Sequence, residues 1–391
     1  CLPGGGSEGG AGWFWVRLLA RLGHVWIITL PNCAQDIGDV LESIPERDRL
    51  HVEAVPVPGQ RRITENVWRK QNYLLWQFAA LRKARKLQRE VQFDAVWHVT
   101  YANVWIGSVG ALVGPPFVYG PVGGGASMDW QYWRILGVRG LLTEALRDVA
   151  LLTARFLNPL ARASWRRARL ILAQNPETRA WLPRRHQAKT RVFPNVVVQE
   201  PLAPNPRGSK DGSRVAIFVG RLEALKGPTL AVRAIAALPD WRLLICGSGP
   251  EERRVRRLVR KLGIDGRVEL LGWRPREEVL RLLRRADVLL FPSFHDQAPL
   301  AVAEAISTGL PVICFDRGGA AGIAGPAGIV VRGDLIEGLV AALRDPRLRG
   351  KRRVATERAR GFLLDPRSSE LRNILIEVGW LSESVTPANP P

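Results

Sequence analysis

Sulfur-containing residues are scarce in this sequence. It has one methionine, Met128, and four cysteines, Cys1, Cys33, Cys246 and Cys314. They form no CxxC pair and have no metal-type spacing, which is typical of reduced cysteines in a cytoplasmic protein. Because the sequence starts at Cys1 rather than at a methionine, we expect that N-terminal residues, including a first strand, are missing.

Long apolar runs are absent as well. A membrane-spanning helix needs about 20 consecutive apolar residues, and no such run occurs; no signal peptide is visible either. Positive charge, in contrast, is in excess, with 57 Lys and Arg against 36 Asp and Glu and a net charge of +21. This excess predicts attraction to nucleic acid, to an anionic bilayer or to phosphorylated substrates, unless it reflects a general arginine bias.

A helix predicted near residues 66–89 concentrates part of this charge. Its basic residues are Arg69, Lys70, Arg82, Lys83, Arg85, Lys86 and Arg89, its apolar positions are Val67, Leu74, Phe78 and Leu81, and Trp68 and Trp76 lie among them. Such a helix either lies on an anionic membrane surface or forms a solvated outer helix of an α/β domain. We therefore expect a cytoplasmic protein with peripheral contact at the inner face of the membrane.

The length of 391 residues fits two domains. We predict an N-terminal domain over 1–198, a linker over 199–214 that is rich in proline and glycine, and a C-terminal domain over 215–365. Residues 366–391 are predicted to form a last helix and a disordered tail. Strands and helices alternate regularly in the second half, which predicts α/β architecture with a doubly wound parallel sheet.

The first residues predict an anion-binding loop. A glycine-rich stretch over Pro3–Gly10 precedes a predicted helix over Trp13–Leu22 and a buried strand over Val25–Leu30. A glycine-rich loop followed by a helix presents backbone N–H groups to an anion.

Two segments of the second half place candidate ligand-binding groups after strands. Phe218–Gly227 carries Arg221 and Lys226, two cations suited to a diphosphate leaving group. Ile245–Glu252 carries Gly247 and Gly249, which allow close backbone approach to a ligand. Ligands of open parallel sheets bind at the carboxyl ends of the strands.

The most specific segment is Phe291–Ile313. It runs through a strand, a loop, a predicted helix over Leu300–Thr308, a glycine, a proline and the next strand. Asp296 lies in the loop, and Glu304 lies two turns into the helix. If both residues face the ligand cleft, we expect the loop and helix N-terminus to contact the sugar-phosphate and Glu304 to accept from ribose hydroxyls.

These three segments, in this order, resemble glycosyltransferase family 4, although that family usually has Glu where this chain has Asp296. The opening PGGGSE and GHVWIITL are similar to the family's first loop and second strand. HVTY and FVYGPVGGG resemble a bacterial branch that acts in polysaccharide assembly. The resemblance implies the GT-B fold, in which two Rossmann-like domains with doubly wound parallel sheets face each other across a cleft.

The resemblance also implies a retaining transfer of sugar. The donor is a UDP- or GDP-sugar, a substrate rather than a cofactor, bound by the C-terminal domain, and the acceptor is a glycan, a lipid-linked glycan or a small molecule. The implied catalytic residues are Arg221, Lys226 and Asp296; the implied donor-binding residues are Glu304, Gly220, Gly247, Gly249, Ala298, Pro299 and Leu300; the implied acceptor and phosphate loop residues are Gly5, Gly6, His98, Gly123 and Gly124.

Metal-independent chemistry is expected, because the sequence has no Asp-x-Asp pair to chelate a divalent ion. Cations and a helix N-terminus would absorb the leaving charge instead. Two alternatives stay open: a nucleotide-sugar epimerase of the same fold, and a non-catalytic basic protein that binds a membrane or nucleic acid. No nucleic-acid-binding motif is present, so no nucleic-acid partner is expected.

Overall fold

The structure, a computed structural model, describes Pro3 and residues 7–57, 69–126, 133–198 and 213–382. For residues 7, 8, 69–71, 133–140 and 143 it describes the backbone alone. The chain divides into two compact units, which we name unit 1 and unit 2. Unit 1 comprises Cys1–Gly125, Ala150–Asn195 and Leu364–Pro391, and unit 2 comprises Ala126–Val149 and Val196–Leu363.

Unit 1 contains two parallel sheets. Its elements are α1 (Ser7–Ala20), β1 (Val25–Thr29), α2 (Pro31–Leu41), β2 (Leu50–Ala54), α3 (Arg69–Val91), β3 (Val96–His98), β4 (Phe117–Val122), α4 (Trp133–Leu157), α5 (Pro159–Arg167), β5 (Ala168–Ala173), α6 (Pro176–Trp181), α7 (Arg184–Gln187) and β6 (Thr190–Val192). One sheet pairs β1 with β2, and the other has the order β3-β4-β5-β6. The chain passes from unit 2 into unit 1 within α4.

Unit 2 is built on a six-stranded parallel sheet with the order β12-β11-β10-β7-β8-β9. Its elements are β7 (Arg214–Val219), α8 (Pro228–Ala236), β8 (Trp241–Cys246), α9 (Glu252–Lys261), β9 (Val268–Gly272), α10 (Arg276–Arg285), β10 (Val288–Phe291), α11 (Leu300–Ser307), β11 (Val312–Phe315), α12 (Ala320–Ala324), β12 (Gly328–Val331), α13 (Leu335–Arg344) and α14 (Lys351–Arg360). Helix α15 (Leu364–Glu377) then returns to unit 1. The predicted doubly wound parallel sheet is confirmed in this unit.

Alternate residues of the unit 2 strands enter two separate apolar layers. Ala216 and Phe218 of β7 pack in one layer, and Ile217 between them packs in the other. Both faces are therefore covered, as in parallel sheets whose crossovers place helices on either side. The strand order reverses beside β7, and in such sheets a ligand crevice lies at the point of reversal.

Helix α1 begins earlier than predicted. It starts at Ser7, six residues before Trp13, so the predicted loop over Pro3–Gly10 was wrong in its second half. Trp15 is fully buried, and its indole nitrogen donates to Asn195 at 2.8 Å. Burial of such side chains is worth about 1.5–3 kcal/mol each, which offsets the cost of about 1 kcal/mol for each helical glycine.

The basic helix predicted near residues 66–89 is present as α3, and residues 66–68, including Trp68, lie outside the described part of the chain. Leu81 is buried, but Leu74 and Phe78 are 44% and 53% exposed. The predicted apolar positions therefore do not share one environment: the buried side of the helix carries Gln77, Leu81, Ala84 and Leu87, and Leu74 and Phe78 are exposed beside it. Trp76 is half-buried and donates to the carbonyl of Val55 at 2.9 Å.

The predicted domain limits fall close to the limits of the units, with two differences in content. Residues 126–149 group with unit 2, and α15 groups with unit 1. Arg367 of α15 is buried, lies 3.4 Å from the ring of Phe193 and donates to the carbonyl of Pro194 at 2.5 Å. Most of the predicted linker, 199–212, and most of the predicted tail, 383–391, lie outside the described residues.

Candidate functional site

The candidate site of unit 2 lies at the carboxyl edge of its sheet. Among the loops that leave the sheet there, those after β7, β8 and β10 contain the segments singled out in the sequence. The β7 and β10 loops are joined by a backbone hydrogen bond from Phe294 to the carbonyl of Leu225, at 2.9 Å. The segments predicted to act together are therefore neighbours.

Three glycines hold the β7 and β8 loops in close contact. A β-carbon on Gly247 would lie 1.9 Å from the carbonyl oxygen of Gly220, and one on Gly249 would lie 2.6 Å from that of Leu222. The backbone N–H of Leu222 donates to Ser248 at 3.0 Å. Gly220 and Gly247 have φ angles of +156° and +142°, which side chains disfavour. Backbone packing by itself therefore requires glycine here.

Arg221 and Lys226 occupy different environments. The Arg221 side chain is 74% exposed and lies 2.9 Å from Glu223. Lys226 ends a short 3-10 turn before α8, its side chain is 24% exposed, and its Nζ donates to Oδ1 of Asp296. The structure thus brings Lys226 to Asp296 and leaves Arg221 extended toward solvent.

Asp296 has one satisfied and one unsatisfied carboxylate oxygen. Oδ1 accepts from Lys226, whereas Oδ2 is buried and has no hydrogen-bond partner among the described residues. Leaving a buried acceptor unpaired costs about 1–3 kcal/mol, more for a charged group. The second oxygen is therefore suited to accept from a ligand hydroxyl.

A glycine pair after β11 supports the Asp296 backbone. Gly319 donates its N–H to the carbonyl of Asp296 at 2.8 Å. A β-carbon on Gly318 would lie 2.2 Å from that same carbonyl oxygen, and one on Gly319 would lie 2.0 Å from the carbonyl oxygen of Gln297. Sequence reasoning missed this support, although two adjacent glycines three residues after a predicted strand were a visible signal.

Ala298, Pro299 and Leu300 lead into α11. Pro299 immediately precedes the helix and Leu300 is its first residue, and no described side chain caps this N-terminus. The N–H groups of an uncapped first turn, together with the helix dipole, favour an anion such as phosphate. These residues thus offer backbone groups to a ligand.

Glu304 lies in α11 and is 8% exposed. Its Oε1 accepts from Nε of Arg276 at 2.6 Å. Burial raises the pKa of Glu304, and the hydrogen bond and charge of Arg276 only partly oppose this rise. Arg276, at the start of α10, was missed in the sequence, where it is one of many arginines in a basic stretch.

His98 is held inside unit 1. Its Nε2 lies 2.9 Å from the carbonyl of Thr100 and 2.8 Å from the Tyr73 hydroxyl, and its Nδ1 contacts the hydroxyl of Ser108. Burial lowers the pKa of His98 to about 4, opposed by the bond to Thr100. The ring is neutral at physiological pH, and both nitrogens are used within the unit.

Gly123 and Gly124 follow β4 in unit 1. Gly123 donates to Ala102 at 3.1 Å and accepts from Val104 at 3.0 Å. Gly124 has a φ of +93°, and a β-carbon there would lie 2.6 Å from the amide group of Asn103. Both glycines therefore pack against the segment that follows β3. Gly5 and Gly6, predicted for the same loop function, lie outside the described residues.

Metal-ligating groups are dispersed in the described part of the chain. No cluster there contains three or more His, Cys, Asp or Glu side chains placed to hold a metal ion.

Part of the chain matches a known family. Residues 200–370 match the family model described as "Glycosyl transferases group 1". A D-inositol 3-phosphate glycosyltransferase of Corynebacterium efficiens is 38% identical over 133 residues, which make up 31% of this chain and 31% of that protein. This chain therefore aligns with about a third of the length of that curated relative.

Solved structures resemble nearly the whole chain. Anabaena HepE in complex with UDP-glucose has a TM-score of 0.60 at 16% identity and covers 95% of this chain and 97% of its own. Sucrose-phosphate synthase from Thermosynechococcus elongatus has a TM-score of 0.61 at 19% identity and covers 93% and 91%. At these identities the likeness establishes the fold alone. The predicted α/β class and GT-B fold are confirmed, and within that fold residues 200–370 are similar to glycosyl transferases group 1.

Proposed function

We propose that the protein is a retaining glycosyltransferase of family 4 that moves a sugar from a UDP- or GDP-sugar to a glycan, lipid-linked or small-molecule acceptor in polysaccharide assembly. The observation that carries the proposal is the pair of Lys226 and Asp296, in which Oδ2 of Asp296 is buried without a partner among the described residues. The match of residues 200–370 favours transfer over the alternative epimerase activity.

The residues at the sheet edge suit a diphosphate-linked sugar. Lys226 has three N–H donors, so one remains for Asp296 while others reach a phosphate oxygen. The uncapped N-terminus of α11 and the exposed Arg221 add further positive potential. In this proposal Glu304 accepts from ribose hydroxyls, and the hydrogen bond from Arg276 to its carboxylate supports that role.

In the reaction that we propose, the bond between the sugar C1 and the β-phosphate oxygen breaks, and negative charge develops on the departing diphosphate. Lys226 and the α11 N-terminus stabilise that charge without a metal ion. The acceptor hydroxyl attacks C1 from the same face and passes its proton to the departing phosphate. Asp296 holds the sugar through a hydroxyl, and the nucleotide sugar is a substrate, so no resident cofactor is required.

Donor binding tests the proposal directly. A ligand that binds the folded state alone adds about 2.7 kcal/mol of stability at 100 times its Kd. We expect at least one member of a UDP-, GDP- and dTDP-sugar panel to raise the Tm, and Glu304→Gln to weaken that effect. If no nucleotide sugar shifts the Tm of the wild-type protein, the proposed function is wrong.

Asp296 substitutions separate a sugar-orienting role from covalent catalysis. Asp296→Glu is expected to change the rate of sugar transfer by less than about tenfold, or roughly 1.4 kcal/mol, because a carboxylate that only orients a sugar hydroxyl keeps its acceptor oxygens when one methylene is added. Asp296→Ala is expected to lower the rate further, because the hydroxyl loses its acceptor. Transfer and donor hydrolysis are measured for both variants. Full activity of Asp296→Ala would remove this residue from donor handling.

We also propose peripheral contact with an anionic membrane. None of the helices in the described part of the chain combines the length and the apolar character that a bilayer crossing requires. Helix α3, however, exposes apolar residues in its first turns and basic residues in its later turns along one side: Leu74, Leu75 and Phe78, then Arg82, Arg85, Lys86 and Arg89. An interfacial helix combines these two groups in this way.

Helix α4 adds a second apolar surface. Its exposed large apolar side chains are Leu141, Leu142, Leu146, Val149, Leu152, Phe156 and Leu157, with exposed fractions of 37% to 74%. At 100° per residue they fall on one side of the helix. Exposed apolar patches of this kind mark protein or membrane contacts. The net charge of +21 opposes a second copy of the chain and favours an anionic bilayer.

Removing charge from α3 is therefore expected to weaken membrane binding. Each Lys or Arg near an anionic surface contributes about 1 kcal/mol, so the triple substitution of Arg82, Lys86 and Arg89 by Gln should lower the partition coefficient by about 100-fold. Sedimentation with vesicles of phosphatidylserine and phosphatidylcholine, at low and high salt, measures this loss.

The matched control removes the same charge from α9 of unit 2, by substitution of Arg253, Arg257 and Lys261 by Gln. These three residues are also exposed. The control is expected to bind vesicles nearly as well as the wild type. Equal losses in the two triple variants would show that diffuse charge alone is responsible, and negligible binding of the wild type to anionic vesicles would contradict the membrane proposal.

A further inference from the structure

His295, which directly precedes Asp296, is held by helix α4. Its Nε2 lies 3.1 Å from Oε2 of Glu144. Nη1 of Arg147 lies 2.6 Å from Nδ1 and 2.8 Å from Nε2 of the same ring. Both ring nitrogens of His295 are therefore engaged by α4, and neither is left to contact a nucleotide-sugar donor.

The partners of His295 are themselves fixed. Glu144 is 1% exposed and also accepts from Arg147 at 3.2 Å, and Arg147 donates to the carbonyl of Ala126 at 2.5 Å. Burial acts to raise the pKa of Glu144, but its contacts with His295 and Arg147 outweigh it and lower the pKa. Glu144 is thus an ionised, buried anchor within unit 2.

The loop that carries Asp296 is consequently held on two sides. The backbone carbonyl of Asp296 accepts from Gly319 at 2.8 Å, and the preceding side chain is clamped by α4. The Lys226 contact acts on the Asp296 side chain alone. Without α4, the His295 side chain would lose its contacts with Glu144 and Arg147.

We propose that Glu144 and Arg147 are positioning residues that act through His295 to fix the Asp296 loop in its productive geometry. A segment from the first half of the sequence thereby completes the donor site of unit 2. The inference rests on the proposed function for its consequence in catalysis, while the clamp itself is a property of the free protein. Small misplacements of a group that positions the substrate cost up to about a hundredfold in rate.

Kinetics of variants test the positioning role. Glu144→Ala is expected to lower kcat by tenfold to a hundredfold with less than about a threefold change in donor KM, because binding groups elsewhere remain. Glu144→Gln is expected to restore most of kcat, since its amide oxygen still accepts from His295. The double variant Glu144→Ala/His295→Ala is expected to be no slower than His295→Ala, because residues that act through one contact are not additive. The proposal is overturned if the effects of the two single substitutions multiply in the double variant. It is also overturned if the kcat of Glu144→Ala lies within twofold of the wild-type value.

Hydrogen exchange gives a readout that does not need activity. In the free protein, Glu144→Ala is expected to raise the exchange of the amides from Phe294 to Ala298 by at least tenfold and to leave α9 unchanged. Glu337→Gln, an exposed change on α13 of unit 2, is the control.

Unchanged loop exchange in Glu144→Ala overturns the clamp. If the wild-type protein neither binds nor transfers a nucleotide sugar, the proposed function is refuted. If loop exchange is nevertheless faster in Glu144→Ala, the clamp is retained. If Glu144→Ala does not fold, the same exchange measurement on His295→Asn decides.

Discussion

Replacing Lys226 with alanine is expected to lower the turnover of sugar transfer by about a hundredfold to a thousandfold, or roughly 2.7–4 kcal/mol of transition-state stabilisation. Two losses combine in this variant. The departing diphosphate loses a preorganised cation, and Asp296, one oxygen of which already has no partner in the described structure, loses its counter-charge. The effect should be larger than that of Arg221→Ala, because Arg221 is mostly exposed.

The measurement is initial-rate transfer from the donor found in the binding panel, with folding checked by circular dichroism. Lys261→Ala, an exposed change at the end of α9, is the matched control and is expected to be neutral. Wild-type turnover in Lys226→Ala would exclude this lysine from the chemistry and leave the cationic role to Arg221.

A second large effect is expected from Gly247→Ala, which should lower the free energy of unfolding of unit 2 by about 2–6 kcal/mol. The φ of +142° is a region that costs a side chain about 1–3 kcal/mol. The added β-carbon would also lie 1.9 Å from the carbonyl oxygen of Gly220, and overpacking of this kind costs about 1–3 kcal/mol more. The β7 and β8 loops would have to separate.

Gly272→Ala is the matched control for the backbone strain. Gly272 also has a positive φ, +70°, but its β-carbon would meet nothing within 4 Å. We expect a loss of about 1–2 kcal/mol there. Exchange of the slowest amides of β7 and β8 under native conditions measures both variants. Equal losses would show that the contact with Gly220 relaxes at no cost.

The sheet of unit 2 was predictable because its elements leave local patterns. Buried parallel strands are short apolar runs, and the loops after them carry glycine and charge. The same rule placed Lys226 and Asp296 near each other, because the carboxyl ends of parallel strands share one edge. Both predictions needed only the local pattern of each strand with the loop that follows it, together with the topology of parallel sheets.

Contacts between distant segments could not be predicted in this way. Arg147 and His295 are 148 residues apart, and Arg276 is one of many arginines in a basic sequence, so nothing local marks them as partners. The start of α1 was predicted wrongly for a related reason. The glycines after Ser7 predict a loop, but packing of Trp15 against Trp97 and Phe193 stabilises the helix in spite of them. Such outcomes depend on tertiary burial, which propensity does not contain.

Helix α15 has a consequence for the order in which the chain folds during synthesis. It packs against unit 1, where Arg367 covers the ring of Phe193, yet all of Val196–Leu363 is translated before it. At about 5–20 residues per second, these residues take roughly 10–30 s. During that interval nascent unit 1 lacks the contact of Arg367 with Phe193 and the rest of α15. Unit 2, whose sheet strands are contiguous in sequence, is therefore the first of the two to be fully translated, although it follows most of unit 1 along the chain.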